Sequence, residues 1–110
     1  MRIRASKILN TLSEICSSYS DDPANEINKL ANIGYSEGTI NLPRYEVLQY
    51  RVPFPGFEKK TLKELGLKLN VTGNRVRQLE KSASFIIMRK YLKDRWSYDE
   101  NNNIVIIDSG

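Results

Sequence analysis

Histidine is absent from the 110-residue chain, and cysteine occurs once. The first absence removes the commonest general base and the commonest metal ligand together. The second excludes an internal disulfide. Cys16 falls in the apolar series Ile8, Leu9, Leu12, Ile15, Cys16 and Tyr19, where it reads as a small core residue. There is no Gly-rich phosphate loop and no cluster with metal-ligand spacing. Asp21 and Asp22 are neighbours in sequence, which turns their carboxylates to different sides instead of facing them. An enzyme, a cofactor, a metal and a small-molecule substrate are therefore not expected. No apolar run approaches the ~20 residues of a membrane span. The basic start Met1-Arg-Ile-Arg leads into mixed polar and apolar residues, unlike a signal peptide. The expectation is a cytoplasmic protein with no membrane partner.

What is present is an ordinary globular composition, 40% hydrophobic and 27% charged, with an uneven distribution of charge. Residues 1–60 hold eight Lys and Arg against seven Asp and Glu. Residues 61–96 hold nine against three, and residues 97–110 hold none against three. The excess of positive charge is thus local, as expected of a surface that meets a phosphate backbone. Taken alone, it better describes a solvated basic helix face.

Apolar spacing predicts a first amphipathic helix over residues 4–19, ended by Asp21-Asp22-Pro23. Asp22 is suited to cap a second helix, with Pro23 at its first position and Glu26 in its first turn. That helix is expected to run to about Ile33, stop at Gly34, and give way to a loop over residues 35–39. Asn41 to Arg51 form a third helical pattern with Pro43 in its first turn. Pro53, Phe54, Pro55 and Gly56 then make a stiff connection, with at least one of Phe54 and Phe57 tucked into the core.

Thr61 to Glu80, TLKELGLKLNVTGNRVRQLE, reads as two short helices with a sharp turn, the layout of a helix-turn-helix. Thr61 and Glu64 have capping-box spacing. Leu62, Leu65 and Leu69 are expected inside. Gly66 falls where two helices must approach closely, and Asn70 tolerates the left-handed backbone the turn needs. Thr72 caps the next helix, which Val76, Leu79 and Ala83 hold inward while Asn74, Arg75, Arg77, Gln78 and Lys81 stay outside. Phe85, Ile86, Ile87 and Met88 put apolar groups almost all round the helix. They are either intramolecular core or a subunit or partner interface, which leaves a homodimer open. Helix is expected to about Arg95. Asp99 to Asn103 form a turn cluster, followed by the β-branched run Ile104-Val-Ile-Ile107, a short strand in want of a partner.

The span from about Leu42 to Leu92 resembles region 4 of sigma-70-type transcription initiation factors. Three stretches carry the likeness: Pro43-Arg-Tyr-Glu-Val-Leu-Gln-Tyr-Arg51, Thr61-Leu-Lys-Glu-Leu-Gly66, and Val71-Thr-Gly-Asn-Arg-Val-Arg-Gln-Leu-Glu80. The resemblance implies a recognition helix that starts near Gly73 and lies in the major groove of a promoter −35 element. It also implies docking on a flap of the RNA polymerase β subunit. By position, Arg77 and Gln78 match residues that hold DNA in the family, and Thr72 matches a capping residue near a phosphate. The chain departs from the pattern at Gly73-Asn74, where primary members of the family carry Arg-Glu for base contacts. Glycine cannot make a bidentate contact to guanine, and asparagine favours adenine where glutamate accepts from cytosine. A different site, or weaker direct reading, follows.

The expected fold is all-α: a helix-turn-helix bundle with N-terminal helices and a short extended C-terminal tail. The expected division is a helical arm over 1–40, a region 4-like domain over 41–96 and a tail over 97–110. Residues 1–40 show no likeness to the family's −10-reading or polymerase-binding regions. A self-sufficient sigma factor is therefore not expected. A stand-alone region 4-like regulator is favoured, with one piece of a split factor or the tail of a longer one as the alternatives. Duplex DNA through Thr72, Asn74, Arg75, Arg77, Gln78 and Lys81, together with RNA polymerase, are the expected partners. The alternative is a protein-interaction module that keeps the fold and binds polymerase, a sigma factor or itself. Arg44 and Arg51 either flank the DNA backbone or are plain surface charge. Tyr91, Trp96 and Tyr98 either pack beneath the tail or form a stacking platform for single strands.

Overall fold

A helix starts readily where a side chain can satisfy its first free amides, and among the described residues four such caps order the chain. The computed structural model describes residues 2–3 and 8–107. Among these are five helices and three short strands: β1 (Arg2–Ile3), α1 (Ile8–Ser17), α2 (Pro23–Glu37), α3 (Leu42–Arg51), α4 (Leu62–Leu69), α5 (Gly73–Tyr91), β2 (Trp96–Tyr98) and β3 (Ile104–Ile106). Side chains of Asp22, Asn41, Thr61 and Thr72 accept the backbone N–H three residues on, starting α2, α3, α4 and α5. The architecture is the expected all-α bundle, with a small sheet added. The expected start of the first helix at residue 4 lies outside the described residues.

In α1 the buried positions Ile8, Thr11, Leu12, Ile15 and Cys16 recur at helical spacing and form one inward stripe. Burial pushes the Cys16 thiol up to about 11, outweighing the hydrogen bond from Tyr19, as suits a core residue rather than a reactive one. The stripe meets Ile27 and Ala31 of α2, Leu48 of α3 and Ala83, Ile87 and Met88 of α5 in one cluster. A separate, smaller cluster of Val47, Leu65, Val76 and Leu79 joins α3, α4 and the first half of α5. The long helix α5 thus belongs to two cores. Its first half is held by the helix-turn-helix, and its second half by the N-terminal helices and the sheet.

Two expectations fail here. Gly34 does not end α2, which continues to Glu37 and stops at Gly38 in the left-handed conformation (φ 81°). Gly34 is instead a buried helical position where a Cβ would lie 2.6 Å from Ile40 Cδ1, so its bare backbone makes room for the returning chain. Likewise α5 ends at Tyr91, not near Arg95. Trp96 is buried and donates from Nε1 to the Met88 carbonyl at 2.9 Å, which brings the chain back over the helix it has just left. Trp96 to Tyr98 then pair antiparallel with β3, which also pairs with β1, in the order β1-β3-β2. The run at Ile104 has found its partners on both edges.

Candidate nucleic-acid interface

The turn between α4 and α5 is built from local chemistry. Thr61 Oγ1 accepts the Glu64 amide at 3.1 Å and Glu64 Oε1 accepts the Thr61 amide at 2.9 Å, a complete capping box. These hydrogen bonds to Thr61 hold the Glu64 carboxyl below its ordinary 4.5. Asn70 ends α4 at φ 59°, ψ 44°, and its amide returns to the Gly66 and Leu67 carbonyls. A Cβ on Gly66 would stand 2.8 Å from the Val71 carbonyl oxygen and 3.1 Å from the Gly73 nitrogen. Backbone therefore passes directly over Gly66, and only glycine admits it. Thr72 Oγ1 accepts the Arg75 amide at 3.0 Å and starts α5.

Val76 and Leu79 anchor the first half of α5 inward, and that orientation turns Asn74, Arg75, Arg77, Gln78 and Lys81 outward, all exposed. They are not independent. Arg77 Nη2 donates to Asn74 Oδ1 at 2.7 Å, and Arg75 Nη1 reaches Gln78 Oε1 at 3.5 Å. These pairs, three residues apart on the helix surface, pre-order the long side chains. At Gly73 the nearest atoms to an added Cβ would be Leu62 backbone at 3.6 Å, ordinary contact distance. The missing side chain at the head of α5 is thus not imposed by packing.

The α5 face floors a groove of about 560 Å³. Asn74, Arg77, Gln78 and Lys81 lie in it with Arg51, Glu80 and Lys59. Arg51 and Glu80 are paired with each other, and Arg51 Nη1 also donates to the Lys60 carbonyl at 2.9 Å. The charge of this pair is spent inside the protein. Lys59, Arg77 and Lys81 supply the positive potential that remains in the groove.

Of the other basic candidates, Arg44 donates from Nε to Ser82 Oγ at 2.8 Å and so ties α3 to α5. The apolar band resolves unevenly. Ile87 and Met88 are fully buried within one chain, so these two cannot present themselves to a partner. The N-terminal helices and Trp96 cover them. Phe85 and Ile86 are half-buried, and Phe85 carries the Arg89 guanidinium 4.9 Å from its ring centre. Trp96 and Tyr98 meet edge to face at 81°, and Tyr91 donates to Glu37, an arrangement without parallel stacking faces.

Two residues that the sequence reading left unassigned, Asn10 of α1 and Lys59 before α4, are exposed and line the same groove. Lys59-Lys60 was visible as a basic pair in a connection. Nothing near Asn10 signals its position, because only the packing of α1 on α5 brings it there.

Residues 45–84 match the family model for sigma-70, region 4, over most of α3, all of α4 and α5 as far as Ser84. No curated protein and no solved structure matches the chain. The match, 40 of the 110 residues, marks this segment as a sigma-70 region 4 helix-turn-helix. Among the described residues, no helix is long and apolar enough to cross a membrane.

Proposed function

We propose, on the premise of the region 4 segment at residues 45–84, that the protein regulates transcription by laying the first half of α5 in the major groove of a promoter while engaging RNA polymerase. The observation that carries this reading is the exposed α5 face, where two arginines, a lysine, a glutamine and an asparagine stand together over a buried apolar stripe. Arg77 and Gln78 supply planar donor and acceptor groups for base edges. Lys81 and Arg75 supply cations for phosphates, and the Thr72 hydroxyl, which accepts the Arg75 amide, keeps its proton for a phosphate oxygen. With no side chain at Gly73, and Asn74 engaged by Arg77, few groups read bases. Phosphate contacts then carry most of the affinity, which makes it steeply salt-dependent.

A second reading, a protein-interaction module without base reading, is favoured by one feature. Leu67 of α4 is 76% exposed and Val71 beside the turn is 39% exposed, a large apolar outlay for a free surface. Selection from a randomised duplex library, with retention on immobilised RNA polymerase at the same salt, separates the two. An enriched sequence supports groove reading. Retention on polymerase with no duplex bound at low salt supports the module.

A further inference from the structure

α1 lies outside residues 45–84, yet its first turn stands beside the recognition helix. Ile8 is 2% exposed and packs in the cluster that holds Ala83 and Ile87 of α5, which fixes where α1 begins. From that anchor Asn10 emerges exposed into the groove that Arg77, Gln78 and Lys81 floor, and Lys59 lines the same groove from the connection leading into α4. A helix seated in a major groove of ~12 Å width has a phosphate strand on either side. Elements that flank such a helix therefore meet backbone, not bases. α1 and the α3–α4 connection both border the same side of α5, the side of Arg77 and Glu80 and not of Arg75.

We infer that one backbone strand of a duplex seated on α5 runs along this groove, held jointly by the Asn10 carboxamide and the Lys59 ammonium. The inference rests on the groove reading proposed above and extends it to a residue outside the region 4 segment. Charge selects the occupant. Glu80 is the groove's carboxylate and is occupied by Arg51, so Lys59, Arg77 and Lys81 face a ligand with no competing anion among the lining residues. The Asn10 amide brings two N–H donors and no charge, and Lys59 brings a charge and three donors. The two contacts therefore leave different signatures.

The test is equilibrium binding of the full chain to a labelled random-sequence duplex across a salt series, for wild type, Asn10→Ala, Lys59→Gln and Arg77→Ala. Asn10→Ala is expected to weaken binding on the order of tenfold, the loss of a hydrogen bond to a charged group, without changing the salt slope. Lys59→Gln is expected to weaken binding and lower the logarithmic salt slope by about one unit. Both positions are exposed, and both variants are expected to melt with the wild type. Wild-type binding and slope in both, with Arg77→Ala weakened, overturns the grip and leaves the α5 reading intact. A change in only one of the two overturns the joint contact. If Arg77→Ala is also without effect, or the wild type binds no duplex at low salt, the α5 reading falls and this inference with it.

Discussion

Arg51 at the end of α3 and Glu80 in α5 are joined in an ion pair, with side chains only 21% and 14% exposed. The same guanidinium reaches the Lys60 carbonyl. One side chain thereby fixes α3, α5 and the connection that delivers Lys59 to the groove. The pair also removes an acidic group from the surface that a polyanion would meet.

Glu80→Gln should accordingly have two opposite effects. Removing one partner of a largely buried pair is expected to cost about 1–3 kcal/mol in chemical denaturation. Affinity for random duplex at low salt should rise, because Arg51 is released as an uncompensated cation. Lower affinity together with unchanged stability would contradict this account of the pair.

Two glycines in the helix-turn-helix should respond differently to alanine. At Gly66 the methyl group meets turn backbone at 2.8 Å, and Gly66→Ala is expected to cost ~1–3 kcal/mol by forcing α4 and the turn apart. At Gly73 the nearest backbone is 3.6 Å away, so Gly73→Ala should be neutral or slightly stabilising. Paired thermal melts check this. Equal effects at the two positions would mean that the turn is not packed as described.

The capping box should carry a pH signature. In the fold Glu64 is held below its ordinary 4.5 by its hydrogen bonds to Thr61. Its contribution is therefore present above pH 4.5 and is lost as pH falls through the lower folded-state value. Glu64→Gln removes this component. Denaturation of wild type and variant between pH 3 and 7 should show a stability difference that shrinks on acidification. A constant difference would place the Glu64 carboxylate outside the cap.

The helix-turn-helix was legible because its chemistry is local. Thr61 with Glu64, Asn70 at the turn and Thr72 at the cap each answer a backbone requirement within three residues. The rest depends on partners far along the chain. Gly34 looks like a helix stop until Ile40 is placed against it. Trp96 looks like the end of a helix until its indole finds the Met88 carbonyl and its strand finds Ile106. Asn10 carries no pattern at all, and its place in the groove follows only from the seating of Ile8 among α5 residues. The groove was legible where α5 lines it, and hidden where another element closes in on it.

The central claim is that the exposed face of α5 reads duplex DNA. It is tested most directly by the affinity of wild type, Arg77→Ala and Gln78→Ala for the duplex enriched from a random library and for a scrambled duplex of the same length. Gln78→Ala is expected to reduce the preference for the enriched site by ~1–3 kcal/mol while sparing the scrambled one. Arg77→Ala is expected to weaken both and to weaken the enriched site more, with a shallower salt dependence. Wild-type affinity and preference in both variants would contradict the account.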